Sequence, residues 1–263
     1  MDLGIAGRTA LVGGASSGLG RAVAECLVDE GCHLAIWARG EDALRATAEE
    51  LGRRSGRDVP WIVADAADPG SARLVAEEAS ATLGPLDIVV LNAGGPPPRD
   101  PTATDPEGWR RAFQLLAITP IELATLALPS MRERRWGRIV AILSSGVRQP
   151  IPDLAYSNAG RSALMAWLKT TARAVAADGV TLNGVLPGRL DTPRIESLDR
   201  GRSTTTGRPL DDIRESQLAA IPARRYGRPA ELGSLVAYLC SEQAGYQTGT
   251  FTAVDGGLIA GLP

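Results

Sequence analysis

Seven short apolar runs punctuate the chain: TALVG (9–13), HLAIWA (33–38), VPWIVA (59–64), LDIVVL (86–91), RIVAIL (138–143), VTLNGVL (180–186) and TFTAVD (250–255). Each is continuous rather than alternating, which is the pattern of strands buried on both faces. Between them lie stretches of helical periodicity: about 18–30, a run through Leu51, 71–83, a long region through Met131, and the segment that contains Tyr156. Regular alternation of strand and helix with short connections predicts a doubly wound parallel sheet of about seven strands, flanked by helices. In that class of α/β fold, ligands bind beyond the C-terminal ends of the strands. No repeat or linker divides the chain, so one Rossmann-type domain is expected over 1–263.

Two segments break the rhythm. GGPPPRDPTATDP (94–106) follows the fourth strand, and DTPRIESLDRGRSTTTGRPLDD (191–212) follows the sixth. Both leave the ligand-binding edge, where long loops serve as lids. A substrate loop is expected over 191–222.

Composition narrows the function. The 263 residues are 44% hydrophobic with a net charge of -2, which gives no electrostatic basis for nucleic acid or anionic membrane as a partner. No apolar run approaches the roughly 20 residues of a membrane span. The N-terminus passes almost directly into a strand without a leader pattern, so a cytoplasmic protein is expected. Cys26, Cys32 and Cys240 have no metal-ligand spacing, and no metal is expected. The one histidine, His33, lies in no motif that would set it beside a serine, which argues against a Ser-His-Asp hydrolase. Of the 28 basic residues only Lys169 is a lysine.

The chemistry begins where the first strand ends. GASSGLG places Gly14, Gly18 and Gly20 between a strand and a helix. Glycines there make the tight turn, let backbone approach a pyrophosphate and let helix pack close to strand. The helix N-terminus adds N–H groups and a positive dipole end. After the second strand, Ala38 stands where a carboxylate would bind a ribose 2′-hydroxyl, and Arg39 follows. An arginine suits a 2′-phosphate, so NADP(H) is expected in preference to NAD(H).

Taken with LNAGG (91–95), NGVLPGRLDT (183–192), YSNAGRSAL (156–164) and the C-terminal GRPAELGSLVAYLCSEQAGYQTGTFTAVDGG, the chain resembles the short-chain dehydrogenase/reductase family, especially its β-ketoacyl-carrier-protein-reductase-like members. The match runs from about Gly7 to Gly257, with Gly13 where the family's glycine motif has threonine. The resemblance implies a cofactor site built from Gly14, Ser16, Ser17, Gly18, Leu19 and Gly20, with Arg39, Asp65 and Ala66 at the adenosine end. Asn92, Ala93 and Gly94 would run along the cofactor. Tyr156, Pro187, Gly188, Leu190 and Thr192 would surround its nicotinamide. It further implies a small-molecule carbonyl substrate and an oligomer, commonly a tetramer.

The family's catalytic set is Asn, Ser, Tyr and Lys. Carried over by position, Ser144 takes the serine's place and Tyr156 the tyrosine's. Their spacing of 12 is one short of a common value, so Ser145 is a second candidate. Leu116 stands at the asparagine and Gly160 at the lysine, so the tetrad is atypical. A tyrosine titrates near ~10, and a neighbouring cation lowers that value. Arg161 is five residues from Tyr156, turned about 140° around a helix, so it does not simply replace the lysine. Lys169 lies about 20 Å along the axis. Arg148 and Arg189 are the next cations to suspect. Leu116 and Leu143 hint at a largely nonpolar substrate. The reading is an NADP(H)-dependent carbonyl reductase with Tyr156 as proton donor and Ser144 orienting the carbonyl. A cofactor-binding protein without redox turnover, or a non-redox dehydratase or cyclase, is the alternative.

Overall fold

The computed structural model describes residues 2–261. All seven apolar runs are strands: β1 (Thr9–Gly13), β2 (His33–Ala38), β3 (Trp61–Val63), β4 (Ile88–Leu91), β5 (Gly137–Ile142), β6 (Val180–Pro187) and β7 (Phe251–Val254). They form one parallel sheet in the order β3-β2-β1-β4-β5-β6-β7. The reversal between β1 and β4 opens the crevice at which such sheets bind ligands. β3 is shorter than its apolar run. It is an edge strand whose Trp61 and Val63 are exposed.

Two apolar layers sandwich the sheet. On one face α1 (Gly18–Asp29), α2 (Glu41–Ser55) and α9 (Pro229–Leu239) bury Leu27, Leu44, Val236 and Leu239 against Val12 and Ile36. On the other, α3 (Ser71–Leu83), α5 (Thr119–Glu133) and α6 (Ala155–Val175) bury Val75, Leu123, Met131 and Leu168 against Leu11, Val89 and Leu182. α4 (Pro106–Phe113) starts at Asp105, whose carboxylate accepts from the Gly108 N–H at 2.6 Å, with Pro106 in the first turn. It runs into α5 through one wide turn of π-helix, Gln114–Ile118.

This continuous helix, Pro106–Glu133, has a mean hydropathy of 1.5 over its most apolar window. By length and composition it could cross a membrane, contrary to the expectation from the apolar runs. In the fold it lies on the sheet, and Leu123, Ala124, Ala127, Leu128 and Met131 are buried there.

The segment expected as a substrate loop is largely helical. Thr192 caps α7 (Pro193–Thr206), Gly207 ends it with φ +69°, and α8 (Leu210–Ala220) follows. Within these two helices only Leu198, Asp199 and Ile213 are buried. With so little apolar face, their periodicity carries almost no signal in the sequence.

Candidate active site

The glycine loop leaves β1 as a cradle. Gly14 has φ +58°, and a Cβ there would stand 2.7 Å from the Asn92 side chain. A Cβ on Gly20 would lie 2.7 Å from the Gly13 carbonyl and would collide with that of Gly14. Only glycine lets α1 start this close to the strand. Ser17, at the helix start, makes no capping bond with its side chain. Asn92 Nδ2 donates to the Gly13 carbonyl at 3.1 Å, which ties the stretch after β4 to the loop.

Beyond the strand ends lies a cleft of about 500 Å³. Its walls include Gly14, Ser17, Gly18 and Leu19 of the loop, Asn92 to Gly95 after β4, and Pro187, Gly188, Leu190 and Thr192 after β6. Ser144 and Ser145 line it after β5, and α7 and α8 contribute Ile195, Leu198 and Gln217. Thus the structure brings most of the sequence-predicted cofactor positions to one cavity. Ser16 and Ala66 are not on its wall; the Ser16 carbonyl accepts from Thr47 at 3.3 Å, and that of Ala66 from Thr119 at 2.8 Å. Arg39 and Asp65 sit outside it at the end of β2 and β3, 3.8 Å apart, and Arg111 reaches Asp65 at 3.2 Å. Arg39 is exposed and makes no closer ion pair.

Tyr156 is not in the cleft. It is buried on the face of α6 turned to α4, where its ring meets Trp109 edge-on at 4.6 Å between centroids. Its hydroxyl accepts from the Asp105 N–H at 3.0 Å. Gly108 makes room for it, since a Cβ there would collide with the phenol. The expected place of Tyr156 beside the nicotinamide is corrected by this packing.

The next residue faces the cleft instead. Ser157 and Arg161, four apart on α6, both line the cleft, as residues on one helical face do. Arg161 Nε donates to Ser157 Oγ at 3.3 Å, while its terminal nitrogens donate to the Ile142 carbonyl at 2.7 Å and the Ala93 carbonyl at 3.2 Å. Burial, and then the charge of Arg194, pull the Arg161 guanidinium down to about 10, so it remains a cation at neutral pH. Arg161, expected not to replace the lysine simply, thus stands on the cleft wall. That expectation rested on counting from Tyr156 rather than from Ser157. The signal was present in the spacing, because Ser157 lies 13 residues after Ser144.

Ser144 Oγ accepts from the Gly146 N–H at 3.0 Å, which leaves its own proton for another partner. Arg148 is turned away, donating to the Phe251 carbonyl at 2.8 Å. Arg189 is on the cleft wall but is ion-paired with the buried Asp199, which also accepts from the Tyr226 hydroxyl at 2.8 Å. Leu143 lines the cleft. Leu116 does not; it sits in the π-turn and walls a separate cavity of about 20 Å³ behind Arg161 and Ala93. A Cβ on Gly160 would come within 3.0 Å of the Leu116 side chain, so the glycine admits that leucine.

A family model described as enoyl-(acyl carrier protein) reductase matches residues 14–259. The chain is 32% identical over 252 residues to the 3-oxoacyl-[acyl-carrier-protein] reductase of Escherichia coli, covering 96% of this chain and 97% of that one. It is also 32% identical over 254 residues to nodulation protein G of Azospirillum brasilense, covering 95% and 98%. Among solved structures, L-sorbose reductase from Gluconobacter frateurii, complexed with NADPH and L-sorbose, superposes with a TM-score of 0.94 at 32% identity over the full length of both chains. With a parallel seven-stranded sheet, a glycine cradle at its crevice and relatives that match end to end, the chain belongs to the short-chain dehydrogenase/reductase family.

Proposed function

We propose that the chain reduces a carbonyl compound with NADP(H), and that Ser157 and Arg161 occupy the roles which the family resemblance assigns to tyrosine and lysine. The observation that carries this reading is the Ser157–Arg161 hydrogen bond on the cleft wall. The reductase activities named for the relatives support the reaction class.

The cradle fits a dinucleotide. Side chains at Gly14 and Gly20 would fill it, and the first N–H groups of α1 face it without a capping side chain. Arg39 offers a guanidinium to a 2′-phosphate. When bound there, NADPH supplies the reducing equivalent.

The chain's own residues handle the oxygen. Ser144 and Ser157 each accept from an N–H, Ser144 from Gly146 and Ser157 from Arg161. Each hydroxyl therefore keeps its proton to donate to a carbonyl oxygen in the cleft. Two such donors to one oxygen would stabilise the negative charge that builds there as the carbonyl carbon is reduced. Ser157 gives its proton to that oxygen. Donor and product are both aliphatic alcohols, so the transfer is close to isoenergetic, and the Arg161 charge steadies the serine oxygen until water returns the proton. The oxygen's path demands no base in this direction. Alcohol oxidation would demand one, and neither serine nor a cationic guanidinium serves well.

Loss of NADPH absorbance with a carbonyl panel tests the reading, with Ser157→Ala and Tyr156→Phe side by side. Turnover abolished by the first and kept by the second is expected. The reverse pattern would return the role to Tyr156. Product formed without a change in NADPH absorbance would favour a dehydratase or cyclase.

A further inference from the structure

The cleft wall carries four guanidinium groups, those of Arg161, Arg189, Arg194 and Arg202, and no aspartate or glutamate. Two are neutralised by carboxylates outside it: Arg189 by Asp199, and Arg202 by Asp153 at 3.5 Å. The other two are not. Among the described residues no carboxylate lies within 4.0 Å of Arg161 or Arg194. Arg194 donates to the Pro96 carbonyl at 2.6 Å and stands 3.4 Å from where a Cβ on Gly95 would be. Asp153 acts on it from farther away.

Three costs converge on Arg194. It is half-buried, and burial weakens its hold on its proton. It lies in the first turn of α7, where a cation opposes the positive end of the helix dipole. Its charge also repels that of Arg161. Two like charges on one cleft wall, with only the distant Asp153 acting on one of them, disfavour a fold unless an anion joins them. Natural sequences keep such violations of local preference mainly where function requires them.

We infer that Arg161 and Arg194 bind an anionic group of the substrate, and that the preferred substrates are oxo acids with a carboxylate one or two bonds from the carbonyl. The inference rests on the reductase reading for the place of the carbonyl. Arg161 touches Ser157 Oγ, so an anion taken by the N–H donors it has left would lie close to the reacting oxygen. Each guanidinium has five N–H donors, and those not given to backbone carbonyls suit the two oxygens of a carboxylate. Ile151, Ile195, Leu198 and Leu258 continue the cleft from there as an apolar wall, which fits a hydrocarbon substituent on the acid. The diphosphate of the cofactor is the other anion at hand. The N-terminus of α1 would meet it, however, whereas Arg194 is held at Gly95 and Pro96.

The test compares a 3-oxo acid with its methyl ester, of the same carbon skeleton, on the full chain. NADPH oxidation gives kcat/KM for each. Calorimetry on the protein loaded with NADP+ gives the affinity of each without turnover. The acid should exceed its ester by about tenfold or more in both measurements. Arg194→Gln should bring the two near parity, Arg194→Lys should restore part of the difference, and the NADPH dissociation constant should stay within about twofold. Equal handling of acid and ester by the wild-type chain, or a preference that survives Arg194→Gln, overturns the inference. So does a large loss of NADPH affinity in that variant with the acid preference intact, which would assign Arg194 to the diphosphate. Preferential binding of the acid with no oxidation of NADPH would sink the reductase reading and leave the anion site standing.

Discussion

Arg161 Nε donates to Ser157 Oγ at 3.3 Å across one turn of α6, and both side chains face the cleft. The same guanidinium spans the ends of β4 and β5 through the Ala93 and Ile142 carbonyls. One side chain therefore fixes the serine, the sheet edge and the charge at the reacting oxygen. Arg161→Gln keeps some hydrogen bonding but removes the charge, and should lower kcat by about 10²-fold, the range seen when an oxyanion donor is lost. Arg161→Lys keeps the charge without the planar fork and should fall between. Steady-state rates of the three proteins, with a thermal melt for each, check this; equal rates for Gln and Arg at position 161 would exclude an electrostatic role.

Tyr156 has the opposite character. Its hydroxyl is spent on Asp105 and its ring on Trp109. Tyr156→Phe should leave turnover within about threefold of the wild type. It should cost about 1 kcal/mol of stability, because the Asp105 N–H loses its partner. In a chain of this size that is a fall of about 2–4 °C in Tm, to be read by calorimetry.

At the other end of the cleft, Arg39 is exposed and has no ion pair closer than 3.8 Å. A side chain so placed is available for a 2′-phosphate. Arg39→Ser should weaken NADPH about tenfold while NADH changes little, as titration of cofactor fluorescence would read out. Equal losses for both cofactors would mean that Arg39 touches the adenosine and not its phosphate.

Acid should act through Glu231. The Arg225 guanidinium at 2.7 Å, followed by the Arg228 N–H at 2.6 Å, holds its carboxyl down to about 2. The unfolded chain takes up this proton near the ordinary value of 4.5 and the folded chain only near 2. The stabilisation is thus present above about 4.5 and lost as pH falls from there to about 2. Glu231 organises the turn at Gly227, which pairs with Leu190 and accepts from the Asp191 N–H at 2.8 Å, so the loop after β6 is coupled to it. Glu231→Gln should flatten this acid limb in melts taken between pH 5 and 3. An unchanged slope would assign it to other carboxylates.

The sheet was legible in the sequence because its strands are buried on both faces and so read as unbroken apolar runs. The glycine cradle was legible because steric need fixes both residue type and spacing. The helix α6 was read correctly as an element but one residue out of frame. One step turns a side chain by about 100°, enough to send Tyr156 to α4 and bring Ser157 to the cleft. Residue type misled here: an aromatic hydroxyl matched the family pattern better than the serine that follows it, while the spacing from Ser144 favoured the serine. Arg194 gave no signal at all. A lone arginine in a polar stretch looks solvated, and its burden becomes visible only when Arg161 is found on the same cleft wall.

Leu116 bears on how the protein completes a cycle. It stands in the π-turn behind Arg161, is buried, and is packed against Gly160. A leucine neither holds a chain of waters nor passes a proton, so Leu116 itself offers no relay in the small cavity behind Arg161. If Ser157 is the donor, as proposed, its proton would be replaced through the mouth of the cleft, beside α7 and α8. On the proposed reading, recharging the donor and releasing the alcohol would share one doorway, and the rate of reloading would be tied to the rate of departure.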